Sequence, residues 1–218
     1  MSVIPPKNAI LQRDKKTYAI VPRVPGGLLQ KEHLKALSNV TEKYNIPIIK
    51  ITSGQRIALV GIEESDLDAI YDDLGMEPGH ATELCLHYVQ ACPGTEVCQF
   101  GVQDSLGFAI KIENILSNID LPAKFKIGVS GCQFCCAESF VRDIGLIGKK
   151  NGWTVIFGGN AGNRPRIGDI IGTNLANDEA IELLKRCIDY YSTNGKKKER
   201  ASRFIHRIGV EEFKQKLL

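Results

Sequence analysis

Three features that would direct this chain to a membrane, to nucleic acid or out of the cell are missing from it. No apolar run approaches the roughly 20 residues that span a bilayer. The formal net charge is only +3 over 218 residues, so charge gives no reason to expect a nucleic-acid partner. Met1–Leu11 lacks a basic start followed by an apolar segment and a cleavage site. The sequence therefore predicts a soluble, cytoplasmic protein with no membrane and no nucleic-acid partner.

Disulfides are not expected, although cysteine is present. The chain has 7 cysteines, an odd number, and in a reducing cytoplasm thiols serve metals or redox chemistry more often than crosslinks. Basic residues cluster at Lys149-Lys150 and at Lys196-Lys197-Lys198 with Arg200. Each cluster is either a solvated face or a surface for an acidic electron carrier or an anionic ligand.

Apolar periodicity predicts an N-terminal β-α-β-β-α unit that follows a polar arm at residues 1–16. Strands are predicted at residues 17–22, 47–51 and 57–62, and helices at residues 28–44 and 63–74. This order is that of a ferredoxin-like half-sandwich.

The rest of the chain is predicted to mix helices and strands, which makes the fold class α+β. Residues 76–103 are predicted to be irregular, because Pro78-Gly79 and Pro93-Gly94 interrupt any period. Asn151-Gly152 predicts a type I′ hairpin turn with positive φ at both positions. The other predicted elements are a helix at residues 104–118, a strand at 125–129, hairpin strands at 143–149 and 153–157, helices at 177–191 and 200–207, and a short segment at 210–217.

Two close-spaced cysteine pairs form the strongest candidate site. Five residues separate Cys92 from Cys98, and three separate Cys132 from Cys136. Four thiolates in two pairs predict an iron–sulfur cluster. Zinc also takes four thiolates, but structural zinc favours two to four residues between paired cysteines.

The second pair is predicted to lie at a turn from strand to helix. Cys135 and Cys136 are adjacent, and spacing alone leaves open which of them binds. Cys85 and Cys187 lie in apolar or helical sequence that is typical of buried thiols.

A second candidate site is cationic. Residues two apart on a strand face the same side, so Lys124 and Lys126 are predicted to point together. Surface lysines are common; the alternative is an anion pocket, in which arginine offers bidentate contacts and lysine a point charge. The other members of the set lie in or beside turns and a glycine-rich loop: Arg23, Arg56, Arg164 and Arg166.

Together these residues resemble the sirohaem and [4Fe–4S] family of sulfite and nitrite reductases. Cys-x5-Cys with Cys-x3-Cys is similar to the family's cofactor signature, and Lys124-Phe125-Lys126 to its substrate lysines. Three turns also resemble family turns: Arg23-Val24-Pro25-Gly26-Gly27, Thr52-Ser53-Gly54-Gln55, and Gly158-Gly159-Asn160 with Arg164. The resemblance covers about residues 17–190 and is greatest to the small single-copy assimilatory-type sulfite reductases. The family's arginine before Gln55 is Gly54 here, with Arg56 two positions later.

The resemblance implies domains and site residues. It implies a ferredoxin-like half-domain at residues 17–78, an α/β sirohaem and [4Fe–4S] domain at 79–195, and a helical extension at 196–218. The implied cluster ligands are Cys92, Cys98, Cys132 and Cys136, of which Cys136 also bridges to sirohaem. The implied catalytic residues are Arg23, Lys124 and Lys126. The implied cofactor-binding residues are Thr52, Gln55, Arg56, Gly159, Asn160, Arg164 and Arg166.

The implied activity is six-electron reduction of sulfite to sulfide. Reduction of nitrite to ammonia with the same cofactors is the first alternative, and a non-catalytic iron–sulfur electron-transfer protein is another. No flavin or nicotinamide motif accompanies the cysteines, so an external donor such as a ferredoxin is expected. The single copy of the unit implies a monomer or a homodimer.

Overall fold

The structure is a computed structural model that describes residues 8–117 and 119–217. The chain divides into two compact units, Met1–Glu83 and Leu84–Leu218. In the described part of the chain, no helix combines the length and the apolar composition that crossing a membrane requires.

The first unit packs two helices on an antiparallel sheet. Its strands, in the order β1-β2-β4-β3, are β1 (Ala9–Leu11), β2 (Tyr18–Ile20), β3 (Ile48–Ile51) and β4 (Ile57–Ile62), and its helices are α1 (Lys31–Lys43) and α2 (Leu67–Leu74). Apolar residues of β2 and β4 form one core with those of the helices, including Ile20, Leu59 and Ile70. The predicted ferredoxin-like order is confirmed, because each predicted strand and helix lies within a few residues of its expected place.

The predicted polar arm is wrong for its second half. Residues 1–7 lie outside the described residues, but β1 pairs with β2, with Ala9 opposite Ile20. Ala9 is buried in the core of the first unit. A strand of three residues is too short for alternation to reveal it.

The second unit is a five-stranded sheet with helices packed against it. Its strands, in sequence order across the sheet, are β5 (Leu86–Ala91), β6 (Phe125–Ser130), β7 (Ile144–Lys149), β8 (Gly152–Phe157) and β9 (Asp169–Leu175). Its helices are α3 (Ser105–Leu116), α4 (Asn177–Asn194), α5 (Ala201–Ile208) and α6 (Val210–Leu217). Phe125, Ile127 and Val129 of β6 are fully buried in a core that includes aromatic rings of α4, α5 and α6. The predicted helices 104–118, 177–191 and 200–207 are confirmed apart from their ends, and Asn118 lies outside the described residues.

Parallel pairing of β5 with β6 brings the two cysteine loops together. Ala91 pairs with Val129 in this parallel register, Cys92 directly follows β5, and Cys132 comes two residues after β6. Since the carboxyl ends of parallel strands meet at one edge of a sheet, both cysteine pairs emerge at that edge.

Two strands of this unit were not predicted. β5 lies inside residues 76–103, which were expected to be irregular, and all six of its residues are buried. A strand buried on both faces shows no alternation, so a periodicity argument misses it. β9 was also not predicted; its contact with β8 decides its place in the sheet.

The β7–β8 hairpin is confirmed, but its turn is not the predicted one. Lys149 pairs with Gly152, so the two loop residues are Lys150 and Asn151. Asn151 is not among the described residues with positive φ, which rules out a type I′ turn. Gly152 has a φ of 120°, and a Cβ there would lie 2.4 Å from the Leu175 carbonyl oxygen. This glycine therefore permits the close approach of β9.

Candidate cofactor and anion site

The structure brings the four predicted cysteine ligands together. Cys92, Cys98, Cys132 and Cys136 all line one cavity of about 300 Å³ at the carboxyl end of β5 and β6. Among the described residues, Cys135 is not part of this lining. Burial and the neighbouring thiols, Cys92 first, raise the pKa of the Cys136 thiol. The geometry thus assigns Cys136, rather than Cys135, to the cavity.

Hydrogen bonds fix the first cysteine loop on the second. The Gly131 N–H donates to Cys92 Sγ at 3.1 Å. The hydroxyl of Ser105, at the start of α3, donates to the Cys92 carbonyl oxygen at 2.8 Å. An N–H donor aimed at sulfur is a contact that orients a cysteine side chain as a metal ligand.

Glycines allow the two loops to touch. A Cβ at Gly131 would lie 2.8 Å from Gly94 Cα, and a Cβ at Gly94 would lie 2.4 Å from Ser105 Oγ. Gly94 also has a φ of 59°, which is costly for a residue with a side chain. Any side chain at either position would force the loops apart.

The second cysteine loop returns across the sheet and does not lead into a helix, so the predicted strand-to-helix turn is wrong. A single 3₁₀ turn at Ser139–Val141 follows it, and then β7 begins. Gly128 and Gly145 make room for this return, since a Cβ on Gly145 would lie 2.0 Å from the Ser139 carbonyl oxygen.

Two serine hydroxyls hold the returning loop. The Ser139 hydroxyl donates to the Leu146 carbonyl at 2.9 Å. Its proton is therefore used, and in the 2.8 Å contact between the Ser130 and Ser139 hydroxyls Ser130 is the donor. Ser130 Oγ also accepts from the Ala137 N–H at 3.1 Å. The fold therefore fixes the backbone directly after Cys136.

A cationic cluster lies near the other end of β6. The Lys126 ammonium lies 5.6 Å from the centroid of the Tyr88 ring, and the Arg142 guanidinium carbon lies 5.8 Å from the same centroid. Burial lowers the pKa of Lys126, and Arg200, Lys124 and Arg142 lower it further. Lys124 and Lys126 are thus brought together. The structure adds Arg142, which the sequence analysis did not single out, and Arg200, which it named only as part of a basic cluster.

Arg142 is held in place by its own contacts. Its guanidinium donates to Gln90 Oε1 at 2.6 Å and to the Glu138 carboxylate. Glu138 belongs to the loop that follows Cys136, so Arg142 connects the cysteine loop to β5. No sequence period could have found this contact with β5, because Gln90 lies on another strand.

Asp143 and Arg200 form a buried ion pair beneath Lys126. Asp143 is 0% exposed and accepts from Arg200 Nε at 3.1 Å and from Arg200 Nη2 at 2.7 Å. The same carboxylate accepts the Lys126 backbone N–H at 3.0 Å. This pair joins the start of α5 to the strand that carries the predicted substrate lysines.

We expect Arg200→Met to destabilise the protein strongly at neutral pH. The substitution leaves a buried carboxylate without its main counterion, which costs about 3–5 kcal/mol and lowers the midpoint of thermal unfolding by roughly 10 °C. Thermal unfolding of the cofactor-loaded protein, followed by circular dichroism, measures this change. The matched control is Arg203→Met on the same helix, at an exposed residue, and its midpoint should equal the wild-type value.

The loss of stability in Arg200→Met should depend on pH. Burial raises the pKa of Asp143 and Arg200 lowers it, so removing Arg200 moves the folded-state pKa further above the unfolded value of about 3.9. A carboxyl with a raised folded-state pKa loses stability as the pH rises through that pKa. The loss in Arg200→Met should therefore be larger at about pH 8 than at about pH 5. An equal loss at both values would contradict the burial of an uncompensated carboxylate.

The predicted glycine-rich loop is a closed hairpin that displays Arg164. Asn160 and Arg166 exchange two backbone hydrogen bonds of 2.9 Å, and the Asn160 side chain donates to the Arg164 carbonyl at 2.6 Å. Arg166 pairs with Asp169 at 2.5 Å. A Cβ on Gly159 would lie 2.5 Å from the Phe140 carbonyl oxygen. Asn160 and Arg166 therefore shape this loop, and Gly159 lets it pack on the returning cysteine loop.

The remaining predicted residues belong to the first unit. Arg23 forms an ion pair with Glu77 at 2.5 Å. The Arg56 N–H donates to Thr52 Oγ1 at 3.2 Å, and its buried guanidinium donates to the His80 carbonyl at 2.8 Å.

The two motif-bearing turns of this unit touch each other. Gln55 has a φ of 58°, and a Cβ on Gly27 would lie 2.8 Å from Gln55 Cβ. The Arg-Val-Pro-Gly-Gly turn and the Thr52–Arg56 turn therefore form one surface of the first unit, whereas the lysines and cysteines lie in the second.

Two family descriptions match the sequence. "Nitrite and sulphite reductase 4Fe-4S domain" matches residues 82–218, and "Nitrite/Sulfite reductase ferredoxin-like half domain" matches residues 10–76. The chain is 54% identical over 213 residues to a protein of Nitratidesulfovibrio vulgaris named "Sulfite reductase, assimilatory-type", and the match covers 98% of each. It is 37% identical over 203 residues to "Nitrite reductase [NAD(P)H]" of Bacillus subtilis, covering 93% of this chain and 25% of that protein.

Solved structures share the fold. A dissimilatory sulfite reductase I has a TM-score of 0.83 at 14% identity, over 92% of this chain and 69% of that one. The NirA protein of Mycobacterium tuberculosis has a TM-score of 0.82 at 21% identity, over 92% of this chain and 39% of that one.

Proposed function

The chain belongs to the nitrite and sulphite reductase family, and from this premise we propose that it is an assimilatory-type sulfite reductase. It reduces sulfite to sulfide with six electrons, using sirohaem and a [4Fe–4S] cluster. The observation that carries the proposal is the single cavity lined by the thiols of Cys92, Cys98, Cys132 and Cys136. The near-full-length relative with the same named activity supports the choice of sulfite.

The cysteine cavity fits a cluster better than a single ion. Zinc draws four sulfur atoms to about 2.3 Å from one point, whereas these thiols surround a cavity of about 300 Å³. The N–H donated to Cys92 Sγ is the kind of contact that tunes a cluster. Cys92, Cys98, Cys132 and Cys136 would hold the cluster, and Cys136, the most exposed of the four, would also face sirohaem.

The cationic residues fit a ligand that carries carboxylates. Arg164 is exposed on a loop that Asn160 and Arg166 stabilise, and Gln55 and Arg56 lie on the paired turns of the first unit. We propose that Gly159, Asn160, Arg164 and Arg166 of the second unit contact the sirohaem periphery. For Thr52, Gln55 and Arg56 of the first unit, the family resemblance proposes a cofactor-binding role. When bound, sirohaem and the cluster supply the electron storage and the iron site for the reduction.

The chain's own residues have three tasks in this reaction: to bind the anion, to offset negative charge and to deliver protons. Conversion of sulfite to hydrosulfide and three waters consumes six electrons and seven protons. Arg142 and Arg200 bring positive charge to the Lys126 region. Lys126, whose pKa burial and neighbouring cations lower, releases a proton more readily than an ordinary lysine. Lys124 supplies further positive charge near Lys126, and the family resemblance proposes Arg23 as a further catalytic residue.

Nitrite reduction is the second candidate, because the same cations suit a second small anion. Its conversion to ammonium and two waters consumes six electrons and eight protons. The match to the Bacillus subtilis nitrite reductase supports it, although this chain covers only 25% of that protein. The chain covers a quarter or less of each of the three nitrite reductases that follow the sulfite reductase in similarity.

The deciding experiment is an absorption spectrum of anaerobically purified protein, with iron, sulfide and zinc assayed on the same sample. A Soret band, a long-wavelength chlorin band and about five irons per chain are expected, the sum of a four-iron cluster and one haem iron. Turnover with sulfite and with nitrite then ranks the two substrates. Cluster absorption without the chlorin band, even after sirohaem is supplied, would favour an electron-transfer protein. A colourless zinc protein would overturn both.

A further inference from the structure

An exposed apolar surface surrounds the cysteine cavity. Phe100 is 55% exposed and Phe134 is 62% exposed. The rings of Phe100 and Phe134 meet edge to face, with centroids 5.3 Å apart. Burying such side chains gains free energy, and a group of them at one place marks an interaction site more often than single exposed residues do.

A second cavity connects this apolar surface to two lysines. It has a volume of about 430 Å³ and shares Phe100, Cys132 and Phe134 with the cysteine cavity. Lys149 and Lys150 line its far side and are both exposed. The β7–β8 turn holds them there, and the Gln103 side chain donates to the Lys149 carbonyl at 2.8 Å. None of the described residues that line either cavity is acidic.

We propose that this face, formed by Phe100, Phe134, Lys149 and Lys150, is the docking surface for a small acidic protein that carries one electron at a time. The inference rests on the proposed function, which requires an external reductant. Each docking event oxidises one carrier by one electron, so reduction of one sulfite consumes six reduced carriers. The apolar centre supplies contact area beside the thiols, and the two lysines orient an acidic partner.

Of the two basic clusters in the sequence, only one belongs to this face. Lys196, Lys197 and Lys198 are equally exposed, but they follow α4 and line neither of the two cavities. They provide a matched control, because the same charge reversal there alters net charge without altering the face. If net charge alone governed binding, charge reversal at either cluster would weaken binding equally.

Binding of an acidic plant-type ferredoxin to the cofactor-loaded protein tests the proposal. The dissociation constant is measured by surface plasmon resonance at about 0.02 M and about 0.3 M salt. We expect wild-type binding to weaken with salt, and the double variant Lys149→Glu/Lys150→Glu to raise the dissociation constant at least about tenfold at low salt. The control Lys196→Glu/Lys197→Glu should change it less than about twofold.

A second readout locates the contact directly. Carbodiimide joins lysine ammonium groups to carboxylates that touch them, and peptide mapping should find the ferredoxin attached at Lys149 or Lys150. Crosslinks at Lys196–Lys198 instead, equal weakening in both variants, or tighter binding of a basic cytochrome c would each overturn the proposal.

The readouts also separate this proposal from the proposed function. Reduced methyl viologen is a small donor that needs no protein docking surface, so viologen-driven sulfite reduction should be equal in the wild type and both variants. Absence of viologen-driven turnover in the wild type would reject the proposed function, while the binding and crosslinking results would still decide whether this face takes the carrier.

Discussion

Replacing both Lys124 and Lys126 with Met is expected to lower sulfite turnover by about 10³-fold or more, with the absorption spectrum unchanged. General acid catalysis by a positioned side chain contributes about 10²–10⁴, and the second lysine adds charge for the anion. Lys126 lies among cations, 5.6 Å from the Tyr88 ring centroid, whereas the cysteines lie at the opposite end of β6. The cluster should therefore assemble normally in this variant.

Single variants separate charge from proton delivery. Lys126→Arg keeps the positive charge but holds its proton far more tightly, so kcat should fall while KM for sulfite stays near the wild-type value. The control is Lys185→Met, at an exposed position of α4, which should turn over at the wild-type rate. Unaltered turnover in the double Met variant would reject the catalytic assignment of both lysines.

Replacing the five cysteines of the two loops with Ser, one at a time, should show that four of them are essential for the cluster and that one is not. Cys92, Cys98, Cys132 and Cys136 line the cavity, and among the described residues Cys135 does not. We expect each of the first four variants to lose the cluster absorption and to fall well below the wild-type content of about five irons per chain. A hydroxyl is a poor substitute for a thiolate ligand.

Cys135→Ser is the matched control for Cys136→Ser, since the two residues are neighbours in one loop. The control should retain iron, labile sulfide and turnover at wild-type levels. Iron and sulfide assays, with the absorption spectrum, measure the outcome. Loss of the cluster in Cys135→Ser with retention in Cys136→Ser would reverse the assignment that the cavity supports.

The fold and the cysteine site could be predicted to different degrees. The first unit was predicted almost whole, because α1, α2 and β4 each show a local period and end at turn residues. In the second unit β5 escaped prediction because it is buried on both faces, and β9 because its pairing with β8 is the constraint that orders it. Local sequence patterns reflect contacts between residues that are close in sequence, whereas β5 and β9 are stabilised by contacts with segments that are distant in sequence.

The anion site could also be predicted only in part from local sequence patterns. Lys124 and Lys126 were found because they lie two apart in sequence at the start of one predicted strand. Arg142 and Arg200 were not assigned to this site, since each reaches the Lys126 region only through a partner elsewhere in the chain, Gln90 and Asp143 respectively. Nothing in the local sequence of Arg200 distinguishes it from the exposed Arg203.

The sequence by itself determined which residues can bind metal or anion, because the spacing of Cys92, Cys98, Cys132 and Cys136 and the motifs around them are local properties. Only the tertiary structure decided that these thiols meet, through the parallel pairing of β5 and β6. It also placed Cys136, and not Cys135, at the cavity. Convergence of this kind depends on strand direction and on close backbone approach at glycines such as Gly131 and Gly145, and these are set by packing between segments that are distant in sequence.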